Sequence, residues 1–300
     1  MSQLAIVIPY FKIRFFRETL SSLASQTNLS FNVYIGNDCS SENPESLIAE
    51  FKKELSISYK AFPKNLGSTD LVSQWSRCIA MTRSEKYIMI LGDDDLLGPN
   101  CVEQFYQRIS LIEEKEIKVF RFATQIIDAS GQQIGEAHKG HEYENALDFF
   151  MRKLQGEARS SLSEYIFLAK DISDSLVNLP LAWYADDLLY LNISNLGMTY
   201  TTNEAKVAIR ASAYNISGNQ TVKREKNRAS NLFFHYLLIN FKNRFTKEVS
   251  NVFIAKLEKS VINDKTNISL FLNLLEVYFK FGKLNRLPFF LSNAYKSIRF

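Results

Sequence analysis

The chain has 300 residues, 46% hydrophobic and 23% charged, with 14 Tyr and 23 Phe. That balance excludes a disordered chain and leaves one large domain, or one domain with an appendage. Its formal charge of +4 is unevenly placed: Gln220 to Phe300 carries fifteen Lys or Arg against five Asp or Glu, which leaves −6 for residues 1–219.

Leu4 to Ile8 is a continuous apolar run, the pattern of a strand buried on both faces of a parallel sheet. Phe16, Leu20, Leu23 and Thr27 follow at helical spacing. The alternation then repeats: strand Phe31 to Ile35, helix Pro44 to Glu54, strand Ile57 to Ala61, helix Thr69 to Thr82, strand Tyr87 to Leu91, helix Pro99 to Glu114, strand Val119 to Ile127. Proline at the first helical position suits Pro44 and Pro99. Four strand-helix units in a row predict an open α/β sheet, Rossmann-like and mostly parallel, flanked by helices. Beyond Ile127 the spacing predicts a turn at residues 128–131, a helix from Asn145 to Leu154, a strand from Tyr165 to Ala169, and a helix from Asp186 to Asn195 closed by Gly197. From about Asn227 the chain reads as helices rich in Phe, Leu and Tyr with interspersed Lys and Arg, without a strong turn cluster until Asn263 to Thr266. The division expected is a body over 1–220 and a basic helical region over 221–300.

Three widely separated cysteines and three histidines exclude a disulfide framework and a zinc site of familiar spacing. No run of eighteen or more apolar residues is present, so neither a transmembrane helix nor a signal core is expected, and the chain reads as cytoplasmic.

Ligands of open parallel sheets bind beyond the carboxyl ends of the strands. Pro9-Tyr10-Phe11-Lys12 follows the first predicted strand, Gly36-Asn37-Asp38 the second, Pro63 to Gly67 the third, and Gly92-Asp93-Asp94-Asp95 the fourth. Three adjacent aspartates after a buried strand repel one another unless a cation compensates, and Mg²⁺ or Mn²⁺ with phosphate oxygens as further ligands does so. The plainer alternative is a solvated turn with Asp95 near the start of the next helix. Asp38 is either an acceptor for a nucleobase or ribose or an Asx turn. Asp186-Asp187, after Trp183 and Tyr184, is either a favourable pair in a first helical turn or a general base flanked by rings that stack on a sugar.

AIVIPYF, ETLSSLASQT, NVYIGNDCSS, KNLGSTD, YIMILGDDDLLGP and WYADDLLY, in this order, resemble the inverting family 2 glycosyltransferases of the GT-A fold, of the bacterial polysaccharide or O-antigen type, over about residues 3–212. The resemblance implies a nucleotide-sugar-binding half over 1–128 and an acceptor-binding half over 129–220. It implies a nucleotide-sugar donor, UDP-linked, held by Pro9, Tyr10, Phe11, Asp38, Asn65, Gly67 and Asp93, and a glycan or lipid-linked acceptor. The family's acidic motif, usually Asp-x-Asp-Asp, begins here at Gly92; the middle acid falls on Asp94 with Asp95 beside it, as ligands of Mn²⁺ or Mg²⁺. A second departure is Lys12, where the family often has Asn. The catalytic base falls on the pair Asp186-Asp187, with Asp187 the expected base, and Arg210 falls where related enzymes keep a basic residue near the diphosphate.

The alternatives are a nucleotidyltransferase, since Gly92-Asp93-Asp94 also occurs in polymerase motifs, and a non-catalytic module of the same fold that binds nucleotide sugar or glycan. The basic tail is either a solvated appendage or a surface for an anionic membrane. Its cations are spread among long apolar stretches rather than set in a polar stripe, so nucleic acid is not an expected partner.

Overall fold

The computed structural model describes residues 2–211 and 222–296. The chain divides into two compact units, Met1–Asn178 with Ala185–Gly218, and Leu179–Tyr184 with Asn219–Phe300.

The first unit begins β1 (Leu4–Tyr10), α1 (Phe16–Ala24), β2 (Phe31–Asn37), α2 (Glu45–Phe51), β3 (Ile57–Ala61), α3 (Leu71–Ile79), β4 (Tyr87–Ile90), β5 (Leu96–Leu97) and α4 (Cys101–Glu114). It continues with β6 (Val119–Ile127), β7 (Gln133–His138), β8 (Tyr143–Asn145), α5 (Ala146–Gln155), β9 (Tyr165–Leu168), α6 (Ile172–Ser175), α7 (Ala185–Ser194) and β10 (Met198–Arg210). Among the described residues these strands form one sheet in the order β3-β2-β1-β4-β9-β6-β10-β5, with β7 added to β6 and β8 to β10. The expected open α/β sheet flanked by helices is present.

The parallel core follows from the apolar runs. Leu4 to Ile8 are fully buried, and β1 lies between β2 and β4 with Tyr10 opposite Asn37 and Val7 opposite Ile90. This register brings the carboxyl ends of β1, β2, β3 and β4 to one edge of the sheet. The helices cover it with their apolar faces: Leu20 and Leu23 of α1, Leu47 and Ile48 of α2, and Val102 and Phe105 of α4 are all buried. Burying side chains of this size stabilises by roughly 1.5–3 kcal/mol each. β9 enters antiparallel between β4 and β6, and β10 runs parallel to β6 with a register shift between Thr202 and Lys206.

Several boundaries differ from the expectation. β5, β7 and β8 were not expected: β5 is a two-residue antiparallel contact with β10, and β7 is a hairpin strand whose side chains are nearly all exposed. The turn after α7 does not use Gly197 as its left-handed residue. Asn195 and Leu196 take positive φ, 48° and 54°, whereas a Cβ on Gly197 would lie 2.9 Å from the carbonyl oxygen of Ser194. Glycine is required there by close approach rather than by φ.

The second unit contains α8 (Lys223–Asn240), α9 (Lys247–Asn263), α10 (Ile268–Lys280) and α11 (Leu287–Lys296). The break at residues 241–246 was not expected. No glycine or proline marks it, and its signal is Thr246, whose hydroxyl accepts the Val249 N–H and caps α9. Phe233, Phe234, Leu237, Phe253, Leu257, Leu274 and Val277 are buried within this unit. At its centre the Asn231 amide donates to Ser260 Oγ and accepts from Asn273 Nδ2, both at 2.7 Å.

Candidate active site

The acidic triplet follows β4 after Leu91 and Gly92, and its three carboxylates have three different environments. Asp93 Oδ2 accepts the backbone N–H groups of Phe11 and Lys12 at 2.7 and 2.8 Å, which ties the end of β1 to the end of β4. Burial pushes its carboxyl up to about 6, against the pull of those two hydrogen bonds. Asp95 is buried. Its Oδ2 accepts from Ser163 Oγ at 2.6 Å and its Oδ1 from the Arg210 backbone N–H at 3.0 Å; burial, then the charge of Asp94, push it up to about 7. The Asp94 carboxylate receives no hydrogen bond from another residue among those described. Burial raises its pKa, opposed by the nearby Arg210.

Gly92 stands where the usual motif has its first acid. A Cβ there would lie 3.0 Å from Asp95 Oδ2 and 3.2 Å from Asp94 Oδ1, so the two carboxylates fold back over space that only glycine leaves open. Its N–H donates to Ser163 Oγ at 3.0 Å.

Asp38, at the end of β2, is buried and accepts the Leu66 and Gly67 N–H groups at 2.7 Å each. It also pairs with Arg77, whose guanidinium stacks on Phe62 at 4.0 Å. Asn65 Nδ2 donates to the Asp38 carbonyl at 3.0 Å. A Cβ on Gly67 would come within 2.6 Å of Asp38 Oδ2, which explains that glycine. The Tyr10 hydroxyl donates to the Glu42 carbonyl at 2.7 Å, Pro9 is half-buried, and Phe11 is exposed at the strand end. Pro9, Tyr10, Phe11, Asp38, Asn65, Gly67 and Asp93 thus gather at one edge.

The acidic pair opens α7. Asp187 is buried and bound to Lys153 of α5, whose ammonium also donates to Ser160 Oγ at 2.7 Å. Burial pushes Asp187 up to about 6, with Lys153 pulling it back. Asp186 is half-buried.

Residues 159–164 join the two acidic motifs. Ser160 Oγ lies 3.5 Å from Asp187 Oδ1, and Ser163 Oγ reaches Asp95 and Gly92. The segment is anchored by Glu164, fully buried, which accepts from Arg121 Nε at 2.7 Å and closes a capping box with Ser161. Arg121 lies over the Phe149 ring at 3.8 Å. Lys153, Ser160, Ser163, Glu164 and Arg121 were not anticipated; the one local signal was Ser161-x-x-Glu164, the spacing of a capping box.

One expectation is corrected by the packing. Arg210 is not at an open edge: its guanidinium is 0% exposed, donates to the carbonyl oxygens of Asp94 and Asp128 at 3.0 Å each, pairs with Glu18 and stacks on Phe15 at 4.2 Å. It braces the acidic turn from beneath. One face of the Tyr184 ring is taken. It stacks on Phe233 within the second unit, centroids 4.6 Å apart and 16° between planes, and Lys226 lies 4.4 Å over the Trp183 ring.

A mostly parallel sheet that collects an acidic triplet, a buried aspartate and an acidic helix start around its strand ends has the GT-A architecture of glycosyltransferases. The chain belongs to the family described as glycosyl transferase family 2, which matches residues 5–155, half its length. It is 28% identical over 141 residues to a protein of Rickettsia bellii (strain RML369-C) described as an uncharacterised glycosyltransferase. The match covers 46% of this chain and only 19% of that one. Its fold is that of S. aureus TarS residues 1–349, solved in complex with UDP-GlcNAc: TM-score 0.64, 13% identity, 86% of this chain and 80% of that one. The longer crystal structure of S. aureus TarS gives a TM-score of 0.60 at 13% identity, over 88% of this chain and 44% of that chain.

Proposed function

We propose that this chain transfers a sugar, a hexose or N-acetylhexosamine, from a UDP-linked donor to a hydroxyl of a glycan or lipid-linked acceptor in cell-surface polysaccharide synthesis, with inversion at the anomeric carbon. The observation that carries the reading is the pair of acidic motifs, Asp93 to Asp95 and Asp186-Asp187, bridged by residues 159–164 at the strand ends of a family 2 sheet. The UDP-GlcNAc complex of TarS, whose fold the chain shares, supports the donor class.

The fold family implies Mn²⁺ or Mg²⁺, and the donor set fits such an ion in one way. Among the described residues no cluster of three potential protein ligands exists, Asp93 and Asp95 are committed to protein donors, and Asp94 alone keeps an open carboxylate. A hard cation that keeps water and substrate phosphates as its other ligands suits a single protein carboxylate. Bound there, it would neutralise charge developing on the leaving diphosphate. Asp95 then holds the turn rather than the ion. Asp187 takes the proton of the acceptor hydroxyl as that oxygen attacks the anomeric carbon; the bond to the diphosphate oxygen breaks and the diphosphate leaves with the electron pair. Lys153 and Ser160 orient the base, and Lys153 keeps it charged despite burial.

A thermal-shift screen of nucleotide sugars with and without Mn²⁺ tests this. The right donor at 100 times its Kd adds about 2.7 kcal/mol of stability. No shift with any donor, with or without the cation, would sink the reading. A shift without detectable hydrolysis or transfer would favour the non-catalytic binding module.

An anionic membrane surface is the proposed site of action. No described helix is long and apolar enough to cross a membrane. α10 nonetheless carries an exposed apolar stripe besides its buried face: Leu270, Leu274, Val277 and Tyr278 are buried, while Ile268, Leu272 and Phe279 are 72%, 56% and 74% exposed, beside the Glu276–Lys280 ion pair. Large apolar side chains exposed together in this way mark an interaction or membrane surface. Lys280 and Lys242, both exposed, stand at its C-terminal end, and the net charge of +10 from Gln220 onward complements anionic headgroups. The chain is expected to pellet with vesicles containing phosphatidylglycerol and not with phosphatidylcholine alone, and Leu272→Glu with Phe279→Glu to abolish pelleting. A dimer dissolved by the same pair, with pelleting unchanged, would reassign the face to a second copy of the chain.

A further inference from the structure

We propose that Ser163 is a positioning residue for the Asp94 carboxylate, an inference that rests on the cation reading above. No other described residue hydrogen-bonds that carboxylate, so the turn under it decides where it points. Part of that turn is the Gly92 peptide: a Cβ on Gly92 would lie 3.2 Å from Asp94 Oδ1 and 3.0 Å from Asp95 Oδ2. Ser163 Oγ fixes the same point from two directions. It accepts the Gly92 N–H at 3.0 Å and donates to Asp95 Oδ2 at 2.6 Å. A hydroxyl suits both demands because one atom accepts and donates at once. An aliphatic side chain there would leave the N–H and a buried carboxylate oxygen unmatched.

Ser163 is itself fixed from behind. β9 pairs antiparallel with β4, Tyr87 opposite Leu168 and Met89 opposite Ile166, and that register carried past the ends of both strands sets Ser163 opposite Gly92. The single 3-10 turn in which it lies, Leu162–Glu164, is closed by the Ser161–Glu164 capping box, and the fully buried Glu164 is held by Arg121. Ser163 is 3% exposed, so solvent does not compete for its hydroxyl. The other brace of the turn, Arg210, reaches the Asp94 carbonyl and Asp95 Oδ1; neither contact touches Gly92. Ser160, on the same segment, lies against Asp187, so the segment that aims Asp94 also spaces the turn from the expected base. Partners that stand behind a metal ligand orient it, and their loss typically costs about 10- to 100-fold in metal affinity.

Titration calorimetry of the full chain with UDP across a Mn²⁺ series, paired with melting curves, tests the assignment. Ser163→Ala is expected to raise the Mn²⁺ concentration that half-saturates the gain in UDP affinity by about 10- to 100-fold, with cation-free UDP affinity at the wild-type value. Ser163→Thr, which keeps the hydroxyl, is expected to recover part of the loss. Ser163→Cys, close in size but a weak donor and acceptor, is expected to fall between and carries the test if the alanine variant does not fold. A residue that merely supports the fold would lower Tm and leave the Mn²⁺ midpoint unchanged. That result in Ser163→Ala or Ser163→Cys, or an equal fall in UDP affinity with and without the cation, overturns the assignment while the cation reading stands. A wild-type chain whose UDP affinity does not respond to Mn²⁺ overturns the cation reading, and the assignment with it.

Discussion

Replacing Asp187 by Asn is expected to lower turnover about 10²- to 10⁴-fold with donor binding retained, the range for loss of a positioned general base. Asp187 is the better placed member of its pair. It is buried, it is fixed by Lys153 and Ser160, and its carboxyl is pushed up to about 6, near the operating range of a base at neutral pH. Asp186 is half-buried, so Asp186→Asn should cost less. The elevated value has a sign that can be checked. The carboxylate is the active form, so turnover should rise as pH passes upward through about 6, and this acidic limb should vanish in Asp187→Asn. That substitution also strands the Lys153 ammonium, so Tm and donor affinity must be measured alongside turnover. Near-normal transfer by the variant, or a larger loss in Asp186→Asn, would remove Asp187 from the role.

The reach of sequence reasoning differed between the two halves of the sheet, for physical reasons. β1, β2 and β4 are buried on both faces, so their apolar runs announce themselves without knowledge of partners. The acids at their ends were visible because short strand-to-helix connections keep them local. β10 was harder: thirteen residues with a polar interruption at Asn203-Glu204, where the register shifts, match neither strand nor helix period. The inner wall of the site was harder still. Ser163 meets Asp95 across 68 residues and Lys153 meets Asp187 across 34, and neither serine nor lysine carries a pattern that reports such a partner. Arg210 shows the reverse error. A cation at a strand end looked available, yet Glu18, Phe15 and two carbonyl groups had already enclosed it.

The triplet offers a second large effect, because its members have separable duties. Asp94→Ala should abolish the Mn²⁺-dependent part of nucleotide binding, a loss of at least about 10²-fold, since even residues behind a metal ligand cost 10–100-fold when removed. The fold should tolerate the change. No other described residue hydrogen-bonds the Asp94 carboxylate, and its charge helps to push up the neighbouring Asp95, so its removal relieves repulsion and Tm should hold or rise. Asp95→Ala should behave oppositely. It leaves the Ser163 hydroxyl and the Arg210 N–H without their acceptor, which costs about 1–3 kcal/mol each if nothing replaces it, and Tm should fall with or without cation. Calorimetric titration of UDP against Mn²⁺, paired with melting curves, separates the two. If Asp94→Ala keeps the wild-type Mn²⁺ dependence, the ion is held elsewhere; if Asp95→Ala loses that dependence at unchanged Tm, Asp95 rather than Asp94 faces the cation.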